Sequence, residues 1–276
     1  MLFVDRTILR SILLIMLIAG LESANVHAAV SNPTGEEVYE RCNFKYPGDD
    51  QQSTLTIILA DKDGNEKKNV YRRLWKDYKG SEGIVDKMVL YTEFPPDAEG
   101  AAFMRWAYTA TSDKNADQWI YLPVLKKIRR VTIRDPGDSF LGSDLTYADI
   151  SGRDIKADQH TLTQALKRGN QDVFAVESVP VNKSSALYSK TVSWFVKDKD
   201  WKSCVKRQVD FYDKKGEPLK RQVLKWQQVK NAWVWSEVLV KNVQTGHSSI
   251  FRVTDVKINL GLQDDMFSER ALSLGQ

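Results

Sequence analysis

Histidine and cysteine are scarce in this 276-residue chain, which has three of the one and two of the other. His27 lies near the start, His160 and His247 are far apart, and Cys42 and Cys204 stand alone. No zinc-ligand spacing is present, and the aspartates do not follow the calcium-loop pattern. No metal and no cofactor are expected. After the first 28 residues no apolar run is long enough to cross a bilayer, which takes about 20 residues. A segregated basic stripe is lacking as well. The net charge is +4 and Lys and Arg are interleaved with Asp and Glu, so no nucleic-acid partner is expected. No stretch has βαβ rhythm, which disfavours Rossmann and TIM architectures.

What is present at the start is an address. Arg6 and Arg10 bracket the entry to an apolar run, Ile12 to Leu21, and Val26 and Ala28 hold small-residue positions before a cleavage site. This charged start, short apolar middle and small-x-small end read as a secretory signal over residues 1–28. The alternative, a transmembrane anchor, needs a longer run. No cysteine follows the run, which argues against lipid attachment there. The expectation is a mature chain starting near Ala29, with residues 29–276 forming one domain outside the cytoplasm. That compartment permits a disulfide between Cys42 and Cys204. The sequence leaves open whether the two meet.

Beyond Pro33, "EEVYERCNF" reads as a short helix with acidic residues in its first turn. Short β-type runs follow, separated by turn residues. They cover 53–60, 69–78, 88–94, 101–110, 118–123 and 127–133, then 172–180, 189–196, 205–212, 219–229, 232–242 and 248–258. About eleven strands in hairpin succession predict a mainly β (α+β) fold, an antiparallel barrel or strongly curved sheet. The run Trp119 to Leu122 is apolar on both faces and must be covered on both. Seven of the eight tryptophans, Trp75, Trp106 and Trp119 among them, fall in these strands. They fit a filled core or an apolar ligand chamber.

Two catalytic readings are disfavoured by the residues around them. Gly137-Asp138-Ser139 resembles the serine block of GDS-type esterases, but it lies mid-chain in a β context. Neither His247 nor His160 has an Asp three residues before it; those places hold Gln244 and Ala157. An unactivated serine is a poor nucleophile. Asp138, Asp144, Asp149 and Asp154 cluster as a glycosidase pair would, but aspartates in a Gly/Ser-rich loop more often form turns and caps.

The segment "QWIYLPVLKKIRRV…SFLGSDLTYADI" resembles the signature block of the LolA-like outer-membrane lipoprotein-sorting family. The matching residues are Trp119, Tyr121, Leu122 and Pro123, then Lys126, Arg129 and Arg130. They continue as Ser139, Phe140, Gly142, Ser143, Asp144, Thr146, Tyr147 and Asp149. "MVLYTEFPPDAEGAAFMRW", "VDFYDKKGEPLKR" and "KNVQTGHSS" extend the resemblance over most of residues 33–270. It implies an unclosed antiparallel β-barrel wrapped around short helices, with an apolar cavity that takes up acyl chains of a lipid or lipoprotein. It implies work in the periplasm as a shuttle between inner and outer membrane, and for many members service to an inner-membrane exporter of the resistance-nodulation-division type. It brings no catalytic residues. Candidates for the cavity are Trp75, Phe94, Trp106 and Trp119, with Tyr121, Leu122, Phe140 and Leu141. Lys126, Arg129 and Arg130 are candidates for headgroup or partner contact in a transient membrane encounter. Gly142, Ser143, Asp144 and Tyr147 are assigned to the loop's own structure. The competing readings are a non-carrier accessory subunit of an exporter, its cavity filled by its own side chains, and a secreted hydrolase.

Overall fold

The computed structural model describes residues 33–112, 114–131, 137–151 and 153–275. The signal reading for residues 1–28 lies outside them, as do the last residues of the 127–133 run. Helix α1, Gly35–Asn43, opens the fold. Thr34 and Glu37 cap it reciprocally: the Glu37 amide donates to Thr34 Oγ1 at 3.1 Å, and the Thr34 amide donates to Glu37 Oε2 at 2.8 Å. This capping box satisfies two of the orphan donors of the first turn.

Six strands follow: β1 (Asp50–Ala60), β2 (Glu66–Asp77), β3 (Ile84–Phe94), β4 (Ala102–Tyr108), β5 (Asp117–Leu122) and β6 (Lys127–Val131). A long crossing segment then leads to β7 (Asp158–Arg168), β8 (Gln171–Pro180), β9 (Lys190–Lys197) and β10 (Val205–Tyr212). The last strands are β11 (Pro218–Val229), β12 (Ala232–Asn242) and β13 (Ser248–Ile258), before helix α2 (Glu269–Leu274). All thirteen belong to one antiparallel sheet, in the order β6-β5-β4-β3-β2-β1-β13-β12-β11-β10-β9-β8-β7. Each arm is a meander, and β1 joins β13 at the seam. Strands β6 and β7 are the free edges, so the sheet is unclosed, mostly β with few helices.

Against about eleven strands expected there are thirteen, and the twelve β-type runs of the sequence account for all but one of them. The strand with no counterpart in the sequence reading is β7, "DQHTLTQALKR", whose residues are half-buried or exposed throughout. An edge strand with water on one side needs little apolar patterning and shows no strong alternation. What anchors β7 is α1. A Cβ at Gly35 would stand 2.5 Å from the Leu162 amide nitrogen. Only glycine lets the helix start approach that backbone so closely. Cys42, buried in α1, is bonded to Cys204 just before β10, with Cα atoms 4.9 Å apart at a sequence separation of 162.

The sheet buries both faces. On one, Leu55, Ile57, Leu90 and Phe103 pack with Val238 and Phe251. On the other, Val89, Met104 and Trp119 pack with Leu262, Phe267 and Leu272 from the C-terminal turn and α2. Alternate residues of one strand thus serve two cores, Phe103 one and Met104 the other. That explains why β4 and β5 read as apolar on both faces. Among the described residues no helix is long and apolar enough to cross a membrane.

Candidate functional site

Residues 137–151, between β6 and β7, form a strap over one face of the sheet. Phe140 and Leu145 are buried in the core with Phe103 and the β10–β13 side chains. Phe140 meets the rings of Phe103 and Tyr147 edge-on, at 6.0 and 5.6 Å between centroids. A turn at Phe140–Gly142 makes this insertion, with Leu141 and Gly142 both at positive φ, 51° and 76°. Glycine adopts that conformation freely, whereas leucine does so at a cost.

Polar ties hold the strap's shape. Ser143 Oγ donates to the Phe140 carbonyl at 2.7 Å, and Ser139 Oγ donates to the Ser143 carbonyl at 2.5 Å. The Asp144 amide donates to Ser249 Oγ at 2.9 Å. That hydroxyl in turn donates to Asp144 Oδ2 at 2.5 Å, and His247 Nδ1 lies 2.7 Å from the same oxygen. The trio is not laid out for catalysis. A nucleophilic serine hydrogen-bonds the imidazole, but Ser249 bonds the carboxylate and is fully buried. Gly142, Ser143 and Asp144 therefore serve the strap's geometry, and Tyr147 packs on Phe140.

Beside the strap lies a cavity of about 310 Å³. Arg105 on β4 and Trp226 on β11 both line it. They stand six strands apart in sheet order, about 29 Å in a flat sheet at 4.8 Å per strand. The sheet must curl around the cavity to bring them together. Trp75, Phe140, Trp226, Trp235, Val238 and Phe251 supply much of its apolar wall. Charged groups enter from one side: Arg73 on β2, Asp86 on β3, Arg105 on β4, and Lys45 after α1.

Two of those charges anchor separate hydrogen-bonded sets. Arg73 Nη1 donates to Gln51 Oε1 at 2.7 Å, and Gln51 Nε2 donates to the Pro47 carbonyl at 2.7 Å. Arg105 Nη1 reaches Asp86 Oδ1 at 3.4 Å, and Nη2 donates to Ser151 Oγ of the strap at 2.9 Å. Burial pulls the Arg73 pKa down to about 10, with the Asp86 charge opposing. Burial likewise pushes Asp86 up, against the pull of Arg105 and Arg73. Lys45 is lowered by burial too.

The residues singled out in the sequence divide into four groups. Trp75 and Phe140 line the cavity, and Leu141 packs at the edge of the same core. Trp106, Trp119 and Tyr121 do not reach it. They lie on the opposite face, packed under Leu262, Phe267 and Leu272, and Trp106 Nε1 donates to the Phe267 carbonyl at 3.1 Å. The correction follows from strand parity: in β4 and β5 these residues alternate with Phe103, Arg105 and Ile120, which face the strap. Phe94 is exposed at the end of β3 and Leu122 ends β5; neither lines the cavity. Lys126, Arg129 and Arg130 are exposed on the β5–β6 hairpin, where Arg130 pairs with Asp117. Val124 and Leu125 at its tip are exposed as well.

The sequence reading passed over Arg73, Asp86 and Arg105. The available signal was alternation. In "AFMRWAY", Arg105 occupies the same parity as Phe103 and Ala107, which are both buried.

No curated protein matches the chain. Among solved structures, an outer-membrane lipoprotein-sorting protein domain from Vibrio parahaemolyticus is similar at 28% identity and TM-score 0.70, covering 87% of this chain and 98% of its own. A DUF1329 family protein from Desulfovibrio piger is similar at 21% identity and TM-score 0.74, covering 86% and 97%. A LolA superfamily protein from Nitrosomonas europaea is similar at 17% and 0.61, covering 87% and 100%. A family model described as "Uncharacterized protein" matches residues 85–274. The chain belongs to the family which that model describes, and its curled, unclosed sheet has the fold of the LolA-like and outer-membrane lipoprotein-sorting structures.

Proposed function

We propose that this protein is a non-enzymatic carrier in the periplasm that takes up acyl chains of a lipid or lipoprotein. The carrying observation is the cavity of about 310 Å³ between the strap and the curled sheet, walled largely by aromatic and aliphatic side chains. Its volume falls within the range of small-molecule sites. Burying about ten methylenes there gains about 8 kcal/mol, the scale of a micromolar complex. Such an affinity permits loading and release. A carrier must also meet a membrane or a membrane protein. The β5–β6 hairpin offers exposed Val124 and Leu125 beside Lys126, Lys127, Arg129 and Arg130, a combination suited to a headgroup layer. Transfer between inner and outer membrane, with a resistance-nodulation-division exporter as partner, follows the family resemblance.

Native mass spectrometry of protein purified from periplasm without detergent tests this reading. The expected result is a bound species that extracts into organic solvent and carries acyl chains. A clean apo mass, with no uptake of acyl probes after delipidation, would instead favour an accessory subunit whose cavity is closed by Phe140 and Leu145.

A further inference from the structure

The charged side of the cavity carries more positive than negative groups. Arg73 and Arg105 stand against Asp86 alone, while the Lys45 ammonium donates to the Arg41, Trp201 and Lys202 carbonyls at 3.3 Å. Arg105 is 4% exposed, and its Nε–H has no acceptor among the described residues. A buried guanidinium donor without an acceptor is costly. The cost is largest in a wall that is otherwise apolar. Trp235 Nε1–H, on the same cavity, also lacks an acceptor. Both residues line the cavity, so two buried N–H donors without acceptors among the described residues lie in its wall together with an excess of cationic charge.

We infer that the cavity recognises an amphiphile with an anionic head, its carboxylate or phosphate oxygens held by Arg105 and Arg73 and its chain lying along Trp226, Val238 and Phe251. The inference rests on the carrier reading and adds the class of cargo to it. Arg105 is placed for the task. Its Nη1 and Nη2 are fixed by Asp86 and Ser151, which leaves Nε–H as a preset donor. The head oxygens would supply acceptors and the negative charge that Asp86 only partly provides. Since Ser151 belongs to the strap, the residue that would bind the head is tied to the segment that covers the chain.

The test uses the delipidated full domain and two probes of one shape: cis-parinaric acid, which is ionised near neutral pH, and its methyl ester. The acid is expected to bind about tenfold tighter or more, the effect of one charge-assisted hydrogen bond. Arg105→Met is expected to bring the acid down to the affinity of the ester and leave the ester unchanged. Asp86→Asn removes a competing carboxylate and is expected to tighten the acid severalfold; a merely structural Asp86 would leave it unchanged or weaken it. Lysophosphatidate is expected to displace the acid if phosphate heads are accepted, and inorganic phosphate is expected not to, for want of a chain. Equal binding of acid and ester by the parent would overturn the inference and leave the carrier reading standing. Binding of neither would overturn both. If Arg105→Met fails to fold, the parent comparison and Asp86→Asn still decide.

Discussion

Lys220 on β11 and Asp149 in the strap form an ion pair, Nζ to Oδ2 at 2.6 Å, with side chains only 3% and 4% exposed. Lys220 Nζ also donates to the Asp144 carbonyl at 2.7 Å, and Tyr188 donates its hydroxyl to Asp149 Oδ1 at 2.9 Å. The Thr146 amide donates to Asp149 Oδ2 at 2.7 Å. Burial, then the Asp149 charge, holds the Tyr188 hydroxyl well above the usual phenol range and keeps it a donor. One cation, one anion and one phenol thus fasten the strap to the second arm of the sheet.

Breaking this pair from one side leaves an uncompensated buried charge. Lys220→Met and Asp149→Leu are each expected to lower unfolding stability by about 3–5 kcal/mol. The double variant, with no charge left over, is expected to recover much of that loss. Urea titrations of the four proteins measure the coupling. Additive losses would show that the two side chains act independently.

The disulfide closes a loop of 162 residues between α1 and the start of β10. In the chain-entropy account such a loop contributes about 5 kcal/mol. Cys42→Ser/Cys204→Ser is expected to unfold at markedly lower denaturant with little change in acyl-probe affinity, since neither cysteine lines the cavity. Thiol labelling of the denatured, unreduced parent should find none free. Two labelled thiols would contradict the bond.

The β5–β6 hairpin carries exposed Val124 and Leu125 with Lys126, Arg129 and Arg130. Lys126→Glu/Arg129→Glu is expected to abolish flotation with anionic vesicles at low salt while binding acyl probes like the parent. Each basic residue near a charged surface is worth about 1 kcal/mol. Unchanged flotation would remove this hairpin as the membrane contact.

How much of this was legible depends on what each residue's neighbours reveal. Gly, Pro, Asp and Asn turns mark strand ends directly, because those residues have specific backbone preferences, and the arms of the meander follow from them. The strap was legible as a motif, since "SFLGSDLTYADI" resembles the signature block of LolA-like proteins. Its direction of insertion was not, because a loop's side chains have no period. Strand parity was ambiguous in β4 and β5, where both faces are covered. Trp119 and Ile120 are equally apolar, and only the C-terminal segment, with Leu262, Phe267 and Leu272, decides that Trp119 faces it. Arg105 was hidden for the complementary reason: a charge among apolar residues reads as the solvent face until the strap is known to cover it.

Lys206 on β10 supplies a pH-dependent test. The residue as a whole is only half-buried, but its ammonium lies over the rings of Tyr39 and Phe195, at 5.2 and 5.8 Å from their centroids. Burial lowers its pKa to about 8, against about 10.4 in an unfolded chain. Below pH 8 both states carry the proton, and the folded state bears the full cost of holding the charge, about 3 kcal/mol at most. As pH rises from 8 to about 10.4 the folded state releases the proton first, so this cost fades and stability gains. Lys206→Met is therefore expected to be more stable than the parent at pH 7 by about 2 kcal/mol, after loss of the contacts with the two rings. The difference should shrink to near zero by about pH 10.4. Other groups titrate over the same range in both proteins, so the quantity to measure is the gap between their urea midpoints at each pH. A gap that stays constant, or that widens as pH rises, would show that the Lys206 ammonium is solvated in the folded protein.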